Sequence, residues 1–184
     1  GQIDQTGVPT TQVQAILADP AYAAELHQVF SPSVFYMGFA FDKSPTDNVH
    51  VRRAFSAVVD RSAYIRDVQD NLGVPMIHFT PPGMFGAPPY DQIGVGYDPE
   101  YARAQMVEAG YPNCEGLPAM EIAAFPGGVD WIEFLTNALE RELGCDPSLF
   151  TIEQQAFESL INSISYRQDA ADRPHMWLSL IHIS

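Results

Sequence analysis

The sequence predicts an α/β fold in which a mixed, partly parallel sheet is flanked by helices. Two segments rich in β-forming residues, 119–125 and 150–156, are separated by an amphipathic stretch at helical spacing. Strand, helix and strand in that order imply a right-handed crossover between parallel strands. The chain has 184 residues, of which 46% are hydrophobic and 17% charged, and this globular composition supplies enough residues for one core.

The first part of the chain predicts one strand followed by two helices. Residues 1–19 are mostly polar, and apolar residues within 22–30 recur at helical spacing, which predicts a short helix there. Residues 33–41 are rich in β-formers and end at a turn cluster, so they predict a buried strand. Asn48 is a suitable N-cap for a helix, and Asp60 opens a second helical stretch.

The second part begins with a proline-rich loop, 74–96, and continues as helices and strands. Asp98, Pro99 and Glu100 form a strong helix start, because aspartate caps free amides, proline fits the first turn and glutamate meets the positive end of the helix dipole. Gly110 ends that helix. The remaining predicted elements are a helix that ends at Gly144, a short helix at 160–164 and a strand that begins at His175.

The chain is strongly acidic. It contains 23 aspartate and glutamate residues against 9 lysines and arginines, and its formal net charge is −14. Such a surface repels phosphate backbones and anionic headgroups, so we expect no nucleic-acid partner and no peripheral membrane role. No apolar run approaches the roughly 20 residues that span a bilayer.

The two ends of the chain carry expectations of their own. The first residue is Gly1 rather than methionine, and no signal-peptide pattern follows it, so we expect an upstream segment to be missing. Residues 178–184 resemble the translation of a transposon-end sequencing adapter. We therefore expect residues 1–177 to be a fragment of one domain and 178–184 to be a non-native tail. The alternative is that the tail is a native apolar strand.

The two cysteines flank one predicted strand–helix unit. Cys114 precedes the strand at 119–125 and Cys145 follows the next helix, so the out-and-back path of the chain places both at the same end. Their Cα atoms can then lie within disulfide reach, about 4.4–6.8 Å. A bridge of this kind persists in oxidising, extracytoplasmic compartments. We expect a disulfide, and the alternative is two unpaired buried thiols.

No pattern in the sequence indicates an enzyme or a metal site. The 5 histidines are scattered without metal-ligand spacing, and no nucleophile elbow, P-loop or dinucleotide fingerprint occurs. Asp60 is expected to cap its helix and to pair with Arg61. We therefore expect no catalytic residue, no metal ligand and no cofactor. Solvated surface accounts for the acidic residues that lie at turns and on helices, which are Asp47, Asp60, Asp91 and Glu108.

Four motifs resemble those of a known family. Residues 51–61 read Val-Arg-Arg-Ala-Phe-Ser-Ala-Val-Val-Asp-Arg, and Pro-Pro-Gly follows at 81–83. Tyr-Asp-Pro-Glu-Tyr-Ala stands at 97–102 and Glu-Ala-Gly-Tyr-Pro at 108–112. Each motif is short, but the four in this order and spacing resemble the bacterial family 5 solute-binding proteins over nearly all of residues 1–177.

The resemblance implies that residues 1–177 are a fragment of the family 5 domain, mostly its second lobe, and thus part of a periplasmic-binding-protein type II-like lobe with a mixed sheet flanked by helices. Two such lobes close about a hinge over a peptide or similar solute and present it to the membrane permease of an ABC importer. The resemblance also implies a monomer outside the cytoplasm, in the periplasm or lipid-anchored at the outer face of the cytoplasmic membrane. A solute sensor of the same fold that reports to a chemoreceptor is the alternative. A hydrolase is a third possibility and requires a clustered catalytic set.

The resemblance also implies one ligand-facing element. In the family, the loop between the strand that ends near 125 and the next helix faces the cleft. Glycines in such a loop leave backbone N–H groups accessible, and a helix N-terminus attracts a carboxylate. No arginine lies between Arg103 and Arg141, which argues against a clamp for a free carboxylate. The alternative is that the glycines form a tight turn and the tryptophan packs in the core. The candidate ligand-binding residues are Phe125, Pro126, Gly127, Gly128 and Trp131.

Overall fold

The N-terminal part of the chain forms two short helices. The computed structural model describes residues 7–27, 32–165 and 169–182, and it divides the chain into two units, 1–31 and 32–184. The first unit contains α1 (Thr10–Ala18) and α2 (Pro20–Ala23). The sequence pattern did not predict α1. The helix expected within 22–30 shares only residues 22 and 23 with α2, and Val29 and Phe30 lie outside the described residues.

The larger unit alternates strands and helices, and each strand and helix predicted from residue 33 onward is present. Short 3₁₀ turns connect several of them. The elements are β1 (Ser33–Phe39), α3 (Val49–Ala57), α4 (Arg61–Asp67), α5 (Pro99–Glu108), β2 (Met120–Ala124), α6 (Val129–Leu143), β3 (Phe150–Gln154), α7 (Phe157–Ser163) and β4 (Met176–His182).

Local side-chain chemistry sets the ends of these helices. Asn48, Asp60 and Asp98 each accept a hydrogen bond of 2.9 Å from a backbone N–H in the first turn of α3, α4 and α5, respectively. A cap of this kind typically contributes about 1 kcal/mol. Gly110 follows α5 with φ 86° and Gly144 ends α6 with φ 73°, a left-handed conformation that glycine adopts without steric cost.

The sheet is mixed and has the strand order β1-β4-β2-β3. β1 runs antiparallel to β4, whereas β2 runs parallel to both β4 and β3. The parallel pair β2 and β3 is joined by α6, which confirms the predicted crossover. β4 extends to His182, so part of the segment 178–184 pairs with β1. This pairing does not reveal the origin of those residues, and a non-native tail stays a prediction.

Helices cover both faces of the sheet. On one face, α3, α5 and α6 pack against the side chains of the four strands in the main core. On the other face, Leu160 of α7 packs with Ala123 and Trp177. The residues of the main core that are least exposed include Val51, Phe55, Met106, Met120, Ile122, Ile132, Leu135, Leu139, Met176 and Leu178.

A disulfide joins Cys114 to Cys145, with the Cα atoms 4.9 Å apart. Cys114 lies in a 3₁₀ turn ahead of β2, and Cys145 follows the glycine that ends α6. The bond therefore closes the strand–helix unit at one end, as the sequence predicted.

Charged side chains gather at the amino ends of the parallel strands. Arg173 is buried and pairs with the carboxylate of Asp42. The ammonium group of Lys43 donates to the carbonyl oxygens of Ala171 at 3.1 Å and Arg173 at 2.5 Å, and it lies 3.8 Å from the Glu121 carboxylate. These contacts connect the turn after β1 to the segment that enters β4.

His175 lies within this charged group and is held as a neutral ring. The backbone N–H of Glu121 donates to its Nδ1 atom at 3.0 Å, so that atom acts as an acceptor. Burial lowers the pKa of His175 and nearby Lys43 lowers it further, whereas Glu121 and a backbone hydrogen bond with Ser44 act in the opposite direction. Protonation of His175 is therefore harder in the folded chain than in the unfolded chain.

We predict that the free energy of unfolding falls as His175 becomes protonated. The unfolded histidine binds a proton near its usual pKa of about 6.5, and the folded histidine binds one only at lower pH. The stability is therefore fully present above the pKa of the unfolded histidine and is lost as the pH falls from there through the pKa of the folded histidine. His175→Asn keeps an acceptor oxygen near the position of Nδ1 and removes the titration. Urea unfolding at several pH values between about 7 and about 5 should show a steeper loss of stability in the wild type than in this variant. Equal slopes would contradict the assignment.

Candidate functional site

The carboxyl ends of the parallel strands β2 and β3 meet at one edge of the sheet. β2 ends at Ala124 and leads through Phe125 into a 3₁₀ turn, Pro126–Gly128, from which α6 starts. After β3, which ends at Gln154, the N–H of Gln155 donates to the Ala124 carbonyl at 2.8 Å and keeps the two exits adjacent. Open α/β sheets bind ligands outside the carboxyl ends of their strands. This carboxyl edge is therefore the candidate functional site.

Four of the predicted ligand residues lie together at the carboxyl edge. Phe125 is half-buried, Pro126 and Gly127 are exposed, and Gly128 is buried. The remaining residue, Trp131, lies in the first turn of α6 and contacts Tyr64 of α4 edge-to-face, with ring centroids 6.2 Å apart. This contact against the main core supports the packing alternative for Trp131. The ligand roles stay predictions.

Of the two glycines in this turn, Gly128 is closely packed and Gly127 is not. A Cβ atom on either Gly127 or Gly128 would lie 3.4 Å from the ring of Phe125, and one on Gly128 would also lie 2.5 Å from Leu178 Cδ2. Gly128 has φ −111°, which other residues also adopt. Close packing against Leu178, rather than an unusual backbone conformation, accounts for Gly128. No side chain of the described residues caps the start of α6.

Two further phenylalanines lie at the carboxyl edge, and sequence reasoning did not single them out. The ring of Phe35, on β1, stacks on Phe125 with centroids 6.1 Å apart and an interplanar angle of 28°. The ring of Phe157, at the start of α7, meets Phe125 edge-to-face at 5.9 Å. We call Phe35, Phe125 and Phe157 the aromatic platform. The available signal was an aromatic residue shortly after the end of each of two strands, Phe125 after β2 and Phe157 after β3. This signal could be interpreted only once the order of the strands in the sheet was known.

A depression of about 160 Å³ lies apart from the carboxyl edge, between the start of α4 and the loop that follows that helix. Arg61 lines it and donates to the carbonyl oxygens of Val59 at 3.3 Å and Val95 at 3.4 Å. Among the described residues no ion pair joins Arg61 to Asp60, so that expected pair was wrong. Ligand pockets commonly measure about 300–1,000 Å³, and this depression is therefore too small for a peptide.

Within residues 7–27, 32–165 and 169–182, no group of three or more histidine, cysteine or acidic side chains is placed to hold a metal ion. In the same ranges, none of the helices combines the length and apolar character needed to cross a bilayer.

The fold and the carboxyl edge together define part of a lobe of a type II-like periplasmic binding protein. A solved structure of this class is the oligopeptide-binding protein OppAIV of Borrelia burgdorferi. It matches with a TM-score of 0.76 over 95% of this chain and 32% of its own length, at 20% sequence identity. At that identity the likeness shows the fold, which confirms the predicted fold class.

The chain belongs to the bacterial extracellular solute-binding proteins, family 5. The family profile described as "Bacterial extracellular solute-binding proteins, family 5 Middle" matches residues 1–176. Heme-binding protein A of Haemophilus influenzae is 39% identical over 82 residues, which are 44% of this chain and 15% of that protein. The dipeptide-binding protein of Escherichia coli is 37% identical over 78 residues, 42% of this chain and 14% of that protein. The matches thus span at most 32% of these relatives' own lengths.

Proposed function

We propose that this chain forms one wall of the solute cleft in the substrate-binding component of an ABC importer for peptides or similar solutes. The observation that carries the proposal is the carboxyl edge, where Pro126, Gly127 and two rings of the aromatic platform, Phe35 and Phe157, are exposed at the position at which α/β sheets bind ligands. Family membership supports solute binding, and the relative named a dipeptide-binding protein supports peptides as the solute.

The proposed mechanism is binding without chemistry on the solute. Two lobes close about a hinge, and contacts that exist only in the closed state set the affinity. Hydrogen bonds to the peptide backbone hold the ligand, while water-filled pockets accommodate different side chains. The chain would contribute the exposed residues Pro126 and Gly127 and the aromatic platform to one wall.

The proposed partner is an ABC permease, to which a monomeric binding protein presents its solute from outside the cytoplasm, either in the periplasm or from a lipid anchor. The family description, extracellular solute-binding proteins, supports the extracytoplasmic location. A solute sensor of the same fold would serve a signalling receptor instead. Permease and ATPase genes beside the coding sequence support transport, and a receptor gene in that place supports the sensor.

We predict that this chain alone binds peptides negligibly and that the complete protein binds them with micromolar affinity. A cleft needs two walls, and this chain spans 32% of the solved relative described above. Isothermal titration calorimetry of both proteins against a pool of di- to pentapeptides measures the difference. Micromolar binding by the chain alone would contradict the proposed wall, and absence of binding by the complete protein would overturn peptides as the solute.

A further inference from the structure

The proline-rich loop, residues 74–96, is closed on itself by hydrogen bonds. The N–H of Ile77 donates to the carbonyl oxygen of Tyr90 at 3.1 Å, and Nε2 of His78 donates to the carbonyl oxygen of Pro89 at 3.0 Å. Five prolines restrict the backbone of the loop further. Loops of more than about 12–15 residues without regular structure are commonly functional. This loop therefore presents its tip as an ordered surface.

The loop exposes apolar side chains to solvent. Phe85, near its tip, is fully exposed, and Ile93 is 76% exposed. Phe79 and Tyr90 are each half-exposed. Among the described residues, the buried hydrophobic core draws none of its members from 74–96. These side chains thus contribute little to the core of the chain, and clustered exposed apolar groups mark sites of interaction.

The loop is nearly uncharged in a strongly acidic chain. It contains no lysine, arginine or glutamate, and Asp91 is its only acidic residue of the 23 in the chain. A net charge of −14 repels anionic headgroups, so the chain approaches a partner in the membrane with least repulsion through a surface of this kind. The apolar side chains of the loop complement an apolar protein surface rather than a charged one.

The loop lies beside the carboxyl edge. The ring of Phe79 meets the ring of Tyr36 on β1 edge-to-face, with centroids 5.1 Å apart. Tyr36 pairs with Ser179 of β4, and the parallel register of β4 with β2 places Ser179 just beyond the last residue of β2. Tyr36 is therefore level with the end of β2. A partner that receives a solute from the carboxyl edge must contact the surface around that edge, and the loop is part of that surface.

We propose that the proline-rich loop is a docking surface for the permease of the importer, with Phe85 as the anchor that enters an apolar pocket on the permease. The inference rests on the proposed function, in which this chain presents a solute to a permease, and it adds the surface that makes the contact. Aromatic anchors in well-packed pockets carry a large share of the binding energy of protein interfaces. Because the loop is already closed by its own hydrogen bonds, docking requires little further ordering.

The test uses the complete protein that contains this chain, together with its importer in lipid nanodiscs. Phe85→Ala should weaken the association with the importer about tenfold, because the aromatic anchor is removed. Phe85→Leu retains a large apolar side chain and should restore most of the affinity. Surface plasmon resonance on importer nanodiscs measures these affinities, and nanodiscs of the same lipids without importer measure binding to the membrane alone.

Val107→Ala is the matched control, because Val107 is 61% exposed on α5 and lies outside the loop. It should leave the association with the importer unchanged. Isothermal titration calorimetry against the pool of di- to pentapeptides should give affinities within about twofold of the wild type for both Phe85→Ala and Val107→Ala. The reason is that the loop is proposed to contact the permease and not the solute.

An unchanged association in Phe85→Ala would overturn the docking surface and leave the proposed function standing. Two other results would also contradict the docking surface. Loss of binding to empty nanodiscs in Phe85→Ala would identify a lipid contact instead, and a melting temperature lowered by more than about 3 °C would show that the ring packs inside the complete protein. If the wild type does not associate with the importer at all, the proposed transport role fails, and the docking surface fails with it.

Discussion

Removing the disulfide between Cys114 and Cys145 is expected to lower the free energy of unfolding by about 3–4 kcal/mol. The bond spans a sequence separation of 31 residues, and its main effect in the chain-entropy description is to restrict the unfolded chain. For a chain of this size the loss corresponds to a decrease in the melting temperature of roughly 10 °C. Urea unfolding of the oxidised wild type and of the variant Cys114→Ala/Cys145→Ala measures the difference.

Chemical reduction separates the cross-link from the packing of the two sulfur atoms. Dithiothreitol should destabilise the wild type by most of the difference found for the double variant, because reduction removes the bond and retains both side chains. The same reagent should leave the double variant unchanged. A loss below about 1 kcal/mol on reduction would show that the loop 114–145 is restricted in the unfolded chain by something other than the bond.

Replacing Gly38 by alanine is expected to cost about 3 kcal/mol, at the upper end for overpacking of a core. Gly38 of β1 pairs directly with Trp177 of β4, and the indole lies over the glycine. A Cβ atom at residue 38 would be 2.1 Å from Trp177 Cε2. The indole is 8% exposed and rigid, so neither it nor the paired backbone can move away without disturbing the sheet.

Gly96→Ala is the control for this substitution, because a Cβ atom there meets nothing within 4 Å and the backbone is not left-handed. It should change stability by less than about 0.5 kcal/mol. In a Trp177→Leu background the cost of Gly38→Ala should shrink, since the two residues are in contact and their effects are not additive. An unchanged cost in that background would show that the indole is not the cause. Chemical denaturation of the wild type, the three single variants and the Gly38→Ala/Trp177→Leu double variant gives the required comparison.

Features that depend on neighbours in the chain were predictable. The caps Asn48, Asp60 and Asp98 start helices because an oxygen two or three residues away satisfies a free N–H, and that geometry is local. The helix α1 was missed because this local signal is absent there: Pro9 precedes the helix, and no side chain caps its start. Its helix-forming residues, such as Gln12 and Ala15, looked like part of a polar segment.

The site was only partly predictable. The loop 125–128 was identified through the resemblance to a family, and the structure places it at the carboxyl edge. Trp131 is close to this loop in sequence, but its side chain contacts Tyr64 of α4. The reason is that Trp131 lies on α6, where successive side chains point in different directions. Phe35 and Phe157 are 90 and 32 residues from Phe125, so no local pattern could relate them.

The sequence by itself determined the class of fold, the strand–helix–strand crossover, the disulfide partners and the family. Each follows from spacing, capping or motifs read along the chain. Only the tertiary structure decided that β4 lies between β1 and β2, and two consequences follow from that order. It sets Trp177 over Gly38, and it brings the three phenylalanines of the aromatic platform to one edge. The physical reason is that strand order depends on which long-range pairings bury the most apolar surface, and residues far apart in the chain contribute to that energy together.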